Sequence, residues 1–179
     1  QNIEKSETLK LQPLVYWREN LIEANGLCLY YDQKQVAGPL HFTLNRGERL
    51  AICGKNGSGK STLLKLILGQ EIAYQGVFSC GGQMQLSSVA QDPSFLKGDF
   101  MAWAAQAGID STLFFTILRK LDFPRAVFEH DLQALSAGQR KKVLLAASMA
   151  QPAHLYVWDE PLNFIDVLSR IQIEDLLLQ

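Results

Sequence analysis

The sequence predicts an α/β fold: a mixed sheet core with a small antiparallel β-subdomain and a short helical subdomain. Three observations predict it. The apolar strand Arg49-Leu-Ala-Ile-Cys53 runs into a glycine-rich turn, Gly54 to Ser61, and then into an apolar helix, Thr62 to Leu68. Short strands separated by polar turns precede this unit. A nearly all-apolar helix and an apolar strand ending in two acids follow it.

The elements justify themselves in order. Residues 1–19 are polar and irregular, with Pro13 inside, and read as the tail of a linker. Leu21 to Tyr31 reads as a strand, Asp32 to Lys34 as a polar turn, and Leu40 to Leu44 as a second strand. Arg46-Gly-Glu48 turns the chain into the strand before the glycine-rich loop. Gly69 closes the helix after it. Gly76 to Cys80 and Met84 to Ala90 read as strands around the Gly81-Gly82 turn. Between 92 and 134 the character changes, because Met101, Trp103, Leu113, Phe114, Ile117, Leu118 and Leu121 recur at helical spacing. These aromatics are expected to be the core of a helical insertion. With the helix from Ser136 to Gln151, stopped by Pro152, they make a helical subdomain of about 92–151. His154 to Trp158 is a buried strand, and 166–178 a final helix with Val167, Ile171 and Leu178 among its apolar positions.

Composition sets bounds. A chain of 179 residues with 47% hydrophobic and 20% charged residues suffices for one α/β domain with a real core. A net charge of −1 argues against a strongly nucleic-acid-binding surface, so no direct DNA binding is expected. No apolar run is long enough for a membrane span, and no cleavable signal pattern opens the chain. Cys28, Cys53 and Cys80 form no C-x-x-C pair and are expected as buried, reduced thiols in a cytosolic setting. His41, His130 and His154 form no ligand cluster. The chain starts at Gln1 without Met and stops inside a helix, which leads to the expectation of a C-terminally truncated piece of a longer polypeptide.

Chemistry concentrates in three places. Gly54, Lys55, Asn56, Gly57, Ser58, Gly59, Lys60 and Ser61 fit G-x-x-x-x-G-K-[ST] at every fixed position. The glycines let backbone N–H groups face phosphate, Lys60 reaches the β- and γ-phosphates, and Ser61 can ligate Mg²⁺. The helix opening at Thr62 points its N-terminus at the anion. The strand His154-Leu-Tyr-Val-Trp-Asp-Glu160 ends in two acids. Asp159 can support Mg²⁺, and Glu160, on the other side of the chain, can orient or deprotonate water. Alone, the pair could equally be solvated carboxylates. Leu135-Ser-Ala-Gly-Gln139 opens the buried helix. Ser136 is a good N-cap and Gly138 leaves the first turn bare, which suits either an anion site or simple capping.

These motifs, in this order and spacing, resemble the P-loop nucleotide-binding domain of ABC ATPases over about residues 20–179. The resemblance implies several roles. Ser136, Ala137, Gly138 and Gln139 belong to the signature facing the opposite ATP. Gln91 is the Q-loop glutamine that bridges Mg²⁺ and the attacking water. Tyr31 stacks on adenine, although it could be an ordinary strand tyrosine. Asp166, in Asn163-Phe-Ile-Asp166, belongs to the D-loop that reaches across the dimer. ATP and Mg²⁺ are the implied cofactors, Mg²⁺ being held by Ser61, Gln91 and Asp159.

Only forty-four positions separate Gln91 from Leu135, so the helical subdomain is compact and leaves little apparatus for coupling to membrane helices. The run from Leu155 to Asp166 looks like the second ATPase domain of ABC-F proteins. Trp158, together with Leu162 at a position where most ABC-F proteins carry Thr, points to the Vga/Lsa-type antibiotic-resistance group. Residues 2–7 resemble the end of that group's interdomain linker. The resemblance then implies a soluble protein whose two ATPase domains pair and which binds the ribosome. Rival expectations are the ATPase subunit of an ABC membrane transporter and a module that holds nucleotide without turnover. The family's switch histidine lies further beyond Glu160 than this sequence extends. His130 imitates its local sequence but precedes the signature and carries no role. Residues 1–179 alone are accordingly expected to bind Mg-ATP weakly and to hydrolyse it negligibly.

Overall fold

A computed structural model describes residues 8–178. The linker resemblance at residues 2–7 lies outside the described residues. The described residues divide into two compact units, one of residues 14–86 and one of residues 8–13 with 87–178.

The first unit is built on a three-stranded antiparallel sheet. Strand β1 (Asn20–Tyr31) lies between β2 (Lys34–Asn45) and β3 (Ala73–Cys80). The expected hairpin forms: Tyr31 pairs with Lys34, and Asp32 and Gln33 both take positive φ, which matches a tight turn to the twist of its strands. Strand β2 is longer than its apolar stretch suggests, because pairing with β1 carries it back to Lys34. Leu21, Ile22, Leu27, Leu29 and Leu44 are buried, together with Leu63, Leu66 and Ile67 of helix α1 (Lys60–Ile67). The helix ends as expected at Gly69, whose N–H bonds to Leu66 O while Gln70 N–H bonds to Lys65 O.

One expected strand is missing. Arg49 to Cys53 has strand composition but pairs with nothing as a ladder among the described residues, and Leu50 is 43% exposed. A β-strand is defined by its neighbour's N–H and C=O groups, so an apolar run without such a neighbour stays irregular.

The second unit is mainly helical. It contains α2 (Phe100–Gln106), α3 (Ser111–Lys120), two 3₁₀ turns at Arg125–Glu129 and Leu132–Ala134, α4 (Ala137–Ala150) and α5 (Val167–Leu178). Strands β4 (Leu86–Ser88) and β5 (Leu155–Val157) form a two-stranded sheet. Its core holds Phe100, Phe114, Leu118, Leu121, Leu132, Leu145, Met149 and Ile173, each fully buried. Phe100 meets Phe123 and Phe128 edge-on at 5.8 and 5.4 Å, so most aromatics of 92–134 do serve as packing, with Phe95 the exception at 50% exposed. Met101 departs from that expectation. It is 55% exposed, because α2 turns Phe100 and Ala104 inward and leaves Met101 outside.

The irregular segment before β1 is tied down at several points. Leu9 enters the helical unit's core, Pro13 bridges Ala153, and Gln12 N–H donates to Tyr156 Oη at 3.1 Å. In the sheet unit, Tyr16 is buried and donates to Gly82 O at 2.7 Å. The thiols are free but less buried than expected. Cys53 is exposed on the irregular run, while Cys28 and Cys80 are half-buried. Burial pushes the Cys80 thiol up, against a weaker downward pull from the Gly81 backbone.

Candidate nucleotide-binding site

The glycine-rich loop is shaped by its contacts. Gly59 N-caps α1 in the left-handed region, with φ 83°. A Cβ there would lie 2.6 Å from Ala37 Cβ and 3.0 Å from Val36 O, so β2 and the backbone conformation both demand glycine. Ser58 N–H closes a turn on Lys55 O at 3.1 Å, and Lys55, Asn56, Gly57 and Ser58 are exposed. No side chain caps α1. Its first N–H groups and dipole therefore face the loop, as an anion requires. Lys60 curls back over the loop, its ammonium donating to Gly54 O at 2.8 Å and Lys55 O at 2.9 Å. Ser61 and Thr62 are half-buried in the first turn. Tyr31, at the end of β1, is 63% exposed and offers an open ring face.

The remaining candidates lie in the helical unit. Strand β5 delivers Asp159 and Glu160, and the Gln91 amide donates to the Asp159 carboxylate. Glu160 sits at φ 46°, and Asn163 holds it twice: Nδ2 donates to Oε2 at 2.5 Å, and the main-chain N–H to Glu160 O at 3.2 Å. Lys141, the fifth residue of α4, donates from Nζ to Asp159 O at 3.3 Å. Burial pushes the Lys141 ammonium pKa down, while the charges of Asp159 and Glu160 act in the opposite direction.

Ser136 and Gln139 form a capping box. Gln139 N–H donates to Ser136 Oγ at 3.2 Å, and Ser136 N–H to Gln139 Oε1 at 2.9 Å. Within this chain the motif thus acts as a cap, with Ser136 and Ala137 exposed. Gly138 has a packing reason too: a Cβ there would lie 2.6 Å from Phe164 O. One turn on, Lys142 is buried and pairs with Asp166 at 2.5 Å. Asp166 also N-caps α5, accepting from Ser169 N–H at 3.0 Å. Burial raises the Asp166 carboxyl, but Lys142 and Ser169 more than reverse this and hold it at about 2.

Sequence reasoning passed over Lys141 and Lys142, and met Asn163 only as part of the D-loop resemblance. The signal was present, since consecutive cations in an otherwise apolar helix need anions nearby. His130 is exposed, and no group of three or more His, Cys, Asp or Glu side chains that could hold a metal gathers among the described residues. A divalent ion would therefore depend on phosphate oxygens as well as protein ligands, which is the habit of Mg²⁺. The oxygen donors of Gln91 and Asp159, which meet within the helical unit, are of the hard kind that suits that ion.

A family model described as ABC transporter matches residues 37–163. The chain belongs to the ABC transporter family. Its fold is that of the ABC ATPase domain: a solved inward-facing putative metal-chelate type ABC transporter aligns over 90% of this chain and 68% of that one, with TM-score 0.65 and 26% identity. Domains of this family bind ATP, typically with Mg²⁺. Among curated relatives, the ATP-binding protein Uup of Caulobacter vibrioides is 29% identical over 89% of this chain. The zinc import ATP-binding protein ZnuC of Vibrio cholerae is 31% identical over 88%. The ribosome protection protein VmlR of Bacillus subtilis is 28% identical over 90%. The chain spans only part of each of them, 28% of Uup, 61% of ZnuC and 30% of VmlR. Both ABC-F proteins and transporter ATPases therefore stand among its relatives at similar identity. No helix among the described residues is long and apolar enough to cross a membrane.

Proposed function

We propose that this chain is an ATP-hydrolysing domain of the ABC-F type, the second of two in its polypeptide, acting on the ribosome to protect it from antibiotics. The observation that carries the proposal is the compact helical stretch between Gln91 and the Leu135-Ser-Ala-Gly-Gln139 signature, where α2 and α3 have only 7 and 10 residues. The run from Leu155 to Asp166 and the similarity to VmlR support it further.

In this proposal the loop from Gly54 to Thr62 holds the phosphates, with backbone N–H groups and the Lys60 ammonium set around them before binding. Tyr31 packs on the base. Ser61, Gln91 and Asp159 would hold Mg²⁺, which supplies charge neutralisation at the phosphates. Glu160, restrained by Asn163, orients and deprotonates water. The Ser136–Gln139 turn and Asp166 face the other ATPase domain and its ATP. Domain closure on ATP favours the ribosome-bound state, and hydrolysis releases it.

A second reading, the ATPase subunit of a membrane importer, draws on ZnuC, of which the chain covers twice the share it covers of VmlR. Two fused ATPase domains in the gene would exclude it. Drug susceptibility tests the main proposal. Cells expressing the full gene should tolerate more of a ribosome-targeting antibiotic, and cells expressing Glu160→Gln should not. Equal susceptibility of wild-type and empty-vector cells across such drugs would remove the protection role.

A further inference from the structure

We propose that Trp158 and Ser148 are positioning residues for the pair Gln91 and Asp159, acting through a chain of buried hydrogen bonds that joins β4, α4 and the end of β5. The proposal rests on the reading of that pair as part of the Mg²⁺ site. Three observations carry it.

The first is the chain itself. Trp158 Nε1 donates to Ser148 Oγ at 2.8 Å, and Ser148 Oγ lies 2.7 Å from Ser87 Oγ. Ser87 Oγ also donates to the main-chain oxygen of Ser148 at 3.0 Å. An indole N–H only donates, and each hydroxyl has a single hydrogen. One arrangement then satisfies every contact: Trp158 gives to Ser148, the Ser148 hydroxyl gives to Ser87, and the Ser87 hydroxyl gives to Ser148 O. Ser87 and Ser148 are 1% and 2% exposed, so a link removed here is not made good by solvent.

The second is the shortness of the strands. β4 and β5 have three residues each, and Gln91 and Asp159 both lie beyond their ends. A two-stranded ladder of that length is weak and fixes little past its last bond. The serine chain supplies what the ladder lacks. Ser87 ties β4 to the C-terminal end of α4, and Trp158 ties the residue before Asp159 to the same serine.

The third is the setting of the indole. Trp158 packs against the helical core and meets Tyr156 edge-on at 6.3 Å, which fixes the direction of its N–H. One residue on, the Asp159 carboxylate accepts from the Gln91 amide. Phenylalanine at 158 would keep a ring in the core and lose the donor.

The test is binding of a fluorescent ATP analogue to the full-length protein, in Mg²⁺ and in excess EDTA. The variants are Trp158→Phe, Ser148→Ala, the two combined, and Gln91→Ala, each with thermal melting. The part of the Mg²⁺-dependent gain in affinity that Gln91→Ala removes belongs to this site. Trp158→Phe and Ser148→Ala should each remove about half of that part or more, with the affinity in EDTA within about twofold of wild type. The combined variant should lose no more than the worse single one, because both cut the same chain. A wild-type gain in Trp158→Phe overturns the proposal. So does an equal loss in EDTA and Mg²⁺, which marks a packing role, and so do losses that add in the combined variant. If Ser148→Ala fails to fold, Trp158→Phe decides by the same measure. Gln91→Ala separates the two levels: if it keeps the whole gain, the reading of the pair fails and this proposal fails with it.

Discussion

Asp166 takes an ion pair and caps a helix at once. Its carboxylate meets Lys142 at 2.5 Å and accepts from Ser169 N–H at 3.0 Å. Its folded-state pKa of about 2 lies below the ordinary 3.8, so the folded form binds the carboxylate state preferentially. The stabilisation is then complete above about pH 4 and disappears as pH falls through the folded value. Solvent trims it, since the Asp166 side chain is 45% exposed. Denaturant unfolding of wild type and Asp166→Asn should show a stability gap that is constant from pH 7 to about 4 and closes toward pH 2. A gap unchanged across that range would assign the effect to shape rather than charge. Lys60 was readable from the sequence because its motif fixes the loop around it. Lys141 was not, because its partners are fifteen or more positions away and come together only in three dimensions.

At the scale of elements, α4 links the signature turn to the acidic segment. The capping box at Ser136 was legible, since it needs only residues three apart. The close approach of Phe164 O to Gly138 was not, since nothing local encodes it. Gly138→Ala places a methyl 2.6 Å from that oxygen, so backbone must move. The substitution should lose about 1–2 kcal/mol in urea unfolding, although alanine by itself favours a helix by about 1 kcal/mol. A gain of that size would mean the contact is easily relieved. The same contrast explains the elements that differ. Helix α1 formed as expected because its apolar run and closing Gly69 are local signals. Arg49–Cys53 did not become a strand because strand formation depends on a distant partner. Helix α5 buries Ser169, Ile173 and Leu176, while Val167, Ile171 and Leu178 face outward, since its apolar residues do not fall on one stripe.

At the scale of the molecule, fold and family follow from motif order, while the proposed partner does not follow from charge. A net charge of −1 gives no general attraction to RNA, so ribosome binding would have to rest on shape and on segments beyond the ATPase core. In the proposed function the nucleotide set acts as a timer, with Glu160 deciding how long the ATP-bound form persists. Co-sedimentation with ribosomes in ATP tests this most directly, comparing the full-length wild type with Glu160→Gln. The account predicts that Glu160→Gln accumulates in the ribosome pellet well above wild type. A variant that pellets no better than wild type contradicts it.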